Sequence, residues 1–209
     1  MTKFLSLIIL SWLTAAMMSS SIAADAPPDV MVRMVTDEVL GILRDNGAIR
    51  SGDTARAAEL IEQKVLPNFN FRRMTALAVG RDWRSATTEQ QGRLVEQFRT
   101  LLVRTYSNAL TQYKDQTIEF RPLRARAEDA DVTVRADIRQ PGAPAISLDF
   151  RLEKAAEGWK VYDVAVAGVS LVTNYRGTFS QEILQGGLNG LIRSLEGKNR
   201  LFASDRSTR

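Results

Sequence analysis

The sequence predicts an α+β fold, in which N-terminal helices pack on a curved four-stranded antiparallel sheet and C-terminal helices close the domain. Apolar residues recur with a helical period up to about residue 113, and between residues 118 and 166 they alternate with polar residues. Strands grouped after helices are typical of α+β domains. The apolar helical stripes exceed what one face of a four-stranded sheet can cover, so we expect a cone-like fold with an apolar cavity.

The first residues have the organisation of a secretory signal peptide. Lys3 supplies a positive start, residues 4–18 are mainly apolar, and Ser21-Ile22-Ala23 is a small-x-small cleavage site. An uncleaved anchor helix is the alternative, but the apolar stretch is shorter than the ~20 residues that a span needs. We expect cleavage after residue 23, a single domain at 24–197, a flexible tail at 198–209, and a soluble periplasmic protein.

Four helices are predicted before the strands. The first ends at Asn46-Gly47, where a glycine can end a helix in the C′ position. Asp53 and Asn70 are placed to cap the second and third helices, and Thr87 forms a capping box with Gln90 at the start of the fourth. The predicted bounds are about 29–45, from residue 53 to Pro67, from residue 70 to Gly80, and 88–113.

The strand region contains four segments with a period of two, joined by short connections. Apolar residues of each segment share one face, and the turn at 140–145 contains Pro141-Gly142. The apolar phase shifts near Tyr162-Asp163, which predicts a β-bulge or a local twist. Ser170 can cap a following helix, which Gly186-Gly187 should interrupt before a short helix at 188–196. The predicted strands are 118–120, 132–139, 146–152 and 159–166.

Composition excludes several classes of function. The chain has no Cys and no His, which rules out disulfides, thiol nucleophiles, histidine-dependent triads and zinc-finger spacing. Its net charge of +4 is spread over the sequence without a basic cluster, so we expect no nucleic-acid partner. The acidic pairs that could hold a metal are Asp129 with Asp131 and Glu153 with Glu157. They lie at predicted strand ends and turns, where solvated carboxylates are ordinary, so we expect no metal and no cofactor.

One residue pattern permits an enzyme. Asp163, at the predicted bulge, would have a raised pKa beside an apolar cavity and act as acid or base, with Tyr106 or Tyr162 as proton donor. This gives a small-molecule isomerase or hydrolase as an alternative function. A carboxylate satisfied by backbone groups or by an arginine at the bulge is the competing interpretation, and a structural adaptor with a filled core is a third possibility.

Six segments carry a family resemblance. In chain order they are VLPNFNFRRM at 65–74, AVGRDW at 78–83, FRTLL at 98–102 with TY at 105–106, WKVYDV at 159–164, GVSLVTNYR at 168–176 and GGLNGLI at 186–192. Together they resemble the MlaC family, the toluene-tolerance periplasmic phospholipid carriers, over residues 29–197.

The resemblance implies a carrier, not an enzyme, whose interior holds phospholipid acyl chains while the head group stays near solvent. It implies two partners: the MCE-domain protein of an inner-membrane ABC transporter, and an outer-membrane lipoprotein–porin complex. Contact with the membranes themselves would be transient. The implied role is to move phospholipid across the periplasm and maintain outer-membrane lipid asymmetry.

Physical chemistry agrees with such a role. Exposing a sixteen-carbon chain to water costs roughly 13 kcal/mol at ~0.8 kcal/mol per methylene, so a carrier must keep the chains dry.

Two interpretations are open for the arginines near the third predicted helix. They either meet a phosphate or an acidic partner, or are solvated surface charges: Arg72, Arg73, Arg81 and Arg84. The predicted lipid-binding residues are those of the sheet's inner face and the facing helices: Met74, Leu77, Phe98, Leu102, Tyr106, Phe120, Val132, Val134, Leu148, Phe150, Val164, Val166, Val169, Tyr175 and Phe179.

Overall fold

The computed structural model describes residues 26–207, with side chains as far as Leu201. The predicted signal peptide and its cleavage site lie outside the described residues. Within them the chain forms six α-helices and one five-stranded antiparallel sheet, so the predicted α+β class is confirmed. No helix of this described part is long and apolar enough to cross a membrane.

The helices follow the predicted order closely. Short π-helical and 3₁₀ segments at Ile61–Val65, Leu66–Asn68 and Gly80–Ser85 connect some of them. The α-helices are α1 (Pro28–Asp45), α2 (Gly47–Arg50), α3 (Thr54–Leu60), α4 (Phe71–Val79), α5 (Thr88–Thr111) and α6 (Leu171–Ser207).

Four predicted N-caps are confirmed, one of them at α6, where the Ser170 hydroxyl accepts from the Thr173 N–H. The Asp53 carboxylate accepts from two backbone N–H groups of α3, and the Asn70 side chain accepts from the N–H of Arg73. Thr87 and Gln90 form the reciprocal capping box of α5. Each motif acts within one turn of helix, so the local sequence suffices to specify it.

The prediction at Asn46-Gly47 is wrong in its detail. The chain does not end α1 with a left-handed glycine; Asn46 instead caps the additional helix α2 by accepting from the Ile49 N–H. Both residues suit a helix start as well as a helix end, and the apolar Ile49, which is buried, favours the start.

The sheet has five strands where four were expected. Ala167 and Gly168 have positive φ angles and reverse the chain tightly, so that Val169–Ser170 pair back onto the end of the preceding strand. A two-residue strand is too short to show an alternating pattern. The strands, paired in chain order, are β1 (Thr117–Phe120), β2 (Asp131–Arg139), β3 (Ile146–Ala155), β4 (Gly158–Val166) and β5 (Val169–Ser170).

The predicted bulge is confirmed. Arg151 pairs with Asp163 and the next residue, Leu152, pairs with Val161, so Tyr162 is the extra residue in β4. The bulge returns apolar residues to the inner face on both sides of Tyr162.

Among the residues that the structure describes, three apolar clusters form the core. The largest joins α4, α5 and α6, with Phe98 and Phe179 in edge-to-face contact at 5.2 Å between ring centroids. A second joins Val32 of α1 to the inner face of β2, β3 and β4. The third lies among α1, α2 and α3. The second and third clusters both contain α1, which therefore connects the sheet to the helices.

The last helix breaks where predicted but extends further. Gly187 has φ 63° and ψ −172°, a conformation that is nearly exclusive to glycine, and it kinks α6. The helix then continues past residue 196 to Ser207, because Lys198 pairs with Glu182 and the buried Asn199 donates to Gln97. The flexibility of the tail stays a prediction.

Candidate functional site

An apolar cavity of ≈ 580 Å³ lies between α1, the sheet and the end of α5. None of the described residues that line it is charged. They are Met31, Val32, Val35, Thr36, Val39, Leu40, Leu43, Val65, Asn68, Phe69, Ala109, Leu110, Gln112, Tyr113, Gln116, Ile118, Ile138, Gln140, Ala143, Pro144, Ile146, Phe150 and Val161.

The first wall is one face of α1. Val32, Val35, Val39 and Leu43 are spaced three or four residues apart, which places their side chains on the same side of a helix. Val32 continues into the cluster on the sheet, and Val39 and Leu43 continue into the cluster with α2 and α3. The wall is therefore held from both ends by packed core.

The second wall is a row of isoleucines across three strands. Ile118 pairs with Ile138, and Ile138 pairs with Ile146. Directly opposed residues of neighbouring strands point to the same face of a sheet, so these β-branched side chains form a continuous apolar surface. Phe150 and Val161 extend this surface toward the middle of the sheet.

The third wall is formed by Phe69, in the segment that follows the 3₁₀ turn Leu66–Asn68 and precedes α4. Phe69 forms an isolated parallel bridge with Val161, and the N–H of Asn70 donates to the Val161 carbonyl at 2.8 Å. This bridge joins the segment to β4, so Phe69 and Val161 line the cavity side by side.

The cavity opens between the end of α5 and the turn joining β2 to β3. Lining residues there are solvent-exposed, including Gln112, Gln140 and Ile146, the last with 44% exposure. Gln116 Nε2 donates to Gln140 Oε1 at 3.2 Å across this mouth. The polar groups at the opening are neutral amides, and mainly apolar side chains line the interior, an arrangement suited to a ligand with an apolar body and a polar end.

The sequence-predicted site residues fall into different environments. Phe150 lies on the cavity wall, whereas the others are buried in packed clusters or lie on the surface, and their contact with a ligand stays a prediction. In the helical cluster are Met74, Phe98, Leu102, Tyr106, Tyr175 and Phe179; on the inner face of the sheet, largely buried, are Phe120, Val132, Val134, Leu148 and Val164; exposed are Leu77, Val166 and Val169.

Sequence reasoning did not assign the α1 stripe or the isoleucine row to the site. The α1 stripe was visible as a helical face, but periodicity does not distinguish a face that meets a cavity from one that meets solid core. The pairing of Ile118, Ile138 and Ile146 depends on strand register, which only the folded sheet reveals.

Asp163 is 2% exposed and is satisfied by structural partners. Its carboxylate accepts from Ser170 Oγ at 2.7 Å and from the Val172 N–H at 3.2 Å, and Arg151 Nη1 lies 3.6 Å away. These groups hold the end of the sheet to the start of α6. These contacts fit the interpretation that competed with catalysis, in which backbone groups or an arginine at the bulge satisfy the carboxylate.

The two tyrosines proposed as proton donors also have structural partners. Burial and then the hydrogen bond to Asp131 raise the pKa of Tyr162 to about 12. Burial, with Tyr175 adjacent, raises the pKa of Tyr106. Neither lines the cavity, and both phenols hold their protons more tightly than a free tyrosine.

Of the four arginines near α4, three contact other side chains, and Arg81 among them reaches the adjacent Asp82 at 3.9 Å. Arg73 pairs with Asp131 and Glu153, and Arg72 donates to Gln91 at 2.7 Å and stacks on Trp83. Arg81 and Arg84 are exposed. Across the part of the chain that the structure describes, no group of acidic side chains could hold a metal ion.

Comparison with known proteins agrees with these observations. The sequence profile of the family described as MlaC protein matches residues 33–197. The intermembrane phospholipid transport system binding protein MlaC of Haemophilus influenzae is 25% identical over 191 residues, covering 88% of this chain and 87% of that protein. Toluene tolerance protein ttg2D of Pseudomonas putida is 27% identical over 187 residues, covering 88% and 85%.

A solved structure is also similar. The phospholipid-binding protein from Ralstonia solanacearum, determined in complex with a phospholipid, superimposes with a TM-score of 0.79 at 37% sequence identity. The match covers 85% of this chain and 99% of the Ralstonia chain.

Proposed function

This chain belongs to the MlaC family, and from that membership we propose that it is a periplasmic phospholipid carrier. The observation that carries the proposal is the uncharged apolar cavity with an amide-rimmed mouth. The Ralstonia structure with its bound phospholipid supports the choice of ligand, because it shares this fold over nearly its whole length.

The chemistry of the cavity fits a ligand that must be both held and released. Acyl chains leave water with a gain of ~0.8 kcal/mol per methylene, and valine, leucine and isoleucine walls provide that environment. A bilayer provides a similar one, so the transfer between protein and membrane is close to balanced. The absence of charge among the described lining residues avoids a strong head-group anchor that would oppose release.

The proposed pathway has two ends. The carrier would receive or deliver phospholipid at an inner-membrane ABC transporter complex, through its MCE-domain protein, and at an outer-membrane lipoprotein–porin complex. In this way it would maintain outer-membrane lipid asymmetry. The name of the Haemophilus relative, which places that protein in an intermembrane phospholipid transport system, supports this assignment. A signal peptide cleaved after Ala23 would deliver the chain to the periplasm.

An enzymatic function is the weaker alternative. Both relatives and the Ralstonia protein are named for phospholipid transport, toluene tolerance or phospholipid binding. The residue on which an isomerase or hydrolase would depend, Asp163, is buried against Ser170 and Val172 and does not line the cavity.

The test is native mass spectrometry with lipid extraction, on protein purified from the periplasm without detergent. We expect phospholipid bound to the folded chain, and we expect delipidated protein to take up phospholipid from vesicles. Protein that is empty as purified and refuses added phospholipid would contradict the proposal and favour a structural adaptor or the Asp163 enzyme.

A further inference from the structure

A polar cluster centred on Arg73 joins α4 to three strands of the sheet. Arg73 Nη1 contacts Glu153 of β3 at 2.6 Å, and its Nη2 contacts Asp131 of β2 at 2.7 Å. The guanidinium carbon also lies 3.5 Å from the centre of the Tyr162 ring in β4. Arg73 thus connects one helix to β2, β3 and β4 at once.

The other members of the cluster hold the same two carboxylates. Tyr162 donates from its hydroxyl to Asp131 Oδ1 at 2.7 Å, and Asn70 Nδ2 donates to Glu153 Oε1 at 2.6 Å. Asp131 and Glu153 are directly paired across β2 and β3. Like charges at opposed positions repel, so the strand pair depends on the cation between them.

The cluster adjoins the cavity wall through the backbone. Asn70, which contacts Glu153 by its side chain, donates its N–H to the Val161 carbonyl and follows Phe69 directly. Val161 precedes Tyr162, the bulged residue under the guanidinium. Both residues of the parallel bridge, Phe69 and Val161, are therefore one residue away from a member of the cluster, and both line the cavity.

We infer that Arg73 is a positioning residue for the lipid site. It fixes the two carboxylates to which Asn70 and Tyr162 donate, and in this way it holds Phe69 against Val161 and keeps the cavity wall closed. This inference rests on the proposed function, since it assigns Arg73 to retention of the proposed ligand. Arg73 does not line the cavity.

Two properties favour arginine at this position. Its planar fork reaches two carboxylates with separate nitrogens, and its flat face stacks on an aromatic ring at the same time. Lysine offers one charged atom and cannot do all three. We therefore expect Arg73→Lys to retain bound lipid less well than the wild type but better than a variant with no charge at this position.

The test measures the rate at which a pyrene-labelled phospholipid leaves the protein for acceptor phosphatidylcholine vesicles. Arg73→Gln is compared with Arg93→Gln, which removes a tertiary ion pair of similar length, 2.6 Å to Glu196, between α5 and α6 and away from the cavity. We expect Arg73→Gln to release lipid about tenfold faster, Arg73→Lys to fall between it and the wild type, and Arg93→Gln to match the wild type.

Two results overturn the inference. One is an unchanged release rate in folded Arg73→Gln, and the other is equal acceleration in Arg93→Gln at an equal loss of thermal stability, since both assign Arg73 to general stability alone. If Arg73→Gln does not fold, Glu153→Gln removes one anion of the cluster and carries the same expectations. Wild-type protein that takes up no lipid contradicts the proposed function itself, whereas normal wild-type uptake with unchanged variants contradicts only the role of Arg73.

Discussion

Ser170 donates a hydrogen bond from its hydroxyl to Oδ2 of Asp163 at 2.7 Å, across the tight reversal between β4 and β5. The other carboxylate oxygen accepts from the Val172 N–H in the first turn of α6. Asp163 thus closes the sheet and caps the start of the last helix together with Ser170, whose hydroxyl accepts from the Thr173 N–H. Asp163, for which the sequence suggested acid–base catalysis, therefore joins the sheet to α6.

This junction predicts the result of Asp163→Asn. The variant replaces a charged acceptor that is 2% exposed, and we expect a loss of about 1–3 kcal/mol in the free energy of unfolding, with phospholipid content unchanged. Urea unfolding and lipid extraction measure the two quantities. Asp149→Asn is the control: that carboxylate is 39% exposed and 3.9 Å from Arg135, so its loss should change stability by less than about 0.5 kcal/mol. Loss of lipid from a folded Asp163→Asn variant would argue for a direct functional role.

Phe150 and Val134 are cross-strand partners in different environments. Phe150 lines the cavity, where a carboxylate could be hydrated, whereas Val134 is 1% exposed inside a packed cluster. We expect Phe150→Asp to remain folded and purify without lipid, and Val134→Asp to lose about 4 kcal/mol or more and unfold. Circular dichroism and native mass spectrometry distinguish these outcomes. If both variants unfold, Phe150 belongs to the solid core.

Filling the cavity from α1 should compete with lipid. Val35 lines the cavity, whereas the preceding residue, Met34, is 60% exposed. The two side chains therefore lie on different faces of α1. We expect Val35→Trp to reduce phospholipid uptake by about tenfold and Met34→Trp to leave it unchanged. Uptake from labelled vesicles is the measurement. Equal uptake by both variants would show that the ligand lies elsewhere.

Alkaline pH should weaken the fold through Tyr162. Burial, together with Asp131, raises the pKa of this phenol to about 12, above the ordinary value near 10. Its contribution to stability is complete below pH 10 and is lost as the pH rises from 10 through 12, because the unfolded chain releases the proton first. Unfolding free energy measured from pH 9 to 12 should fall more steeply in the wild type than in Tyr162→Phe. Parallel curves would contradict this origin of the alkaline loss.

The kink of α6 depends on one of two adjacent glycines. Gly187 has a positive φ of 63°, whereas Gly186 is not among the residues with positive φ. We expect Gly187→Ala to destabilise by about 1–3 kcal/mol, through backbone strain. Gly186→Ala, which meets no atom within 4 Å, should stabilise by ~0.4–1 kcal/mol by restricting the unfolded chain. Thermal unfolding of the two variants checks the opposite signs.

The sequence alone was sufficient for features with local causes. The caps at Asp53, Asn70 and Thr87 each act within one helical turn, and the phase shift around Tyr162 shows the bulge without reference to any other strand. The alternating patterns likewise identified the inner face of β2 and β3. The family resemblance was carried by contiguous segments and was confirmed by the match over residues 33–197.

Only the tertiary structure decided which apolar faces meet solid core and which meet the cavity. Phe98 and Ile138 are equally apolar in sequence, yet one is buried among α4, α5 and α6 and the other faces open space. The physical reason is that a cavity is a property of the distances between elements, whereas periodicity reports only the direction of side chains within one element. The role of Arg73 could not be read from the sequence for the same reason. The fold brings Asp131, Glu153 and Tyr162 together around its guanidinium, and Arg73 thereby links one helix to three strands.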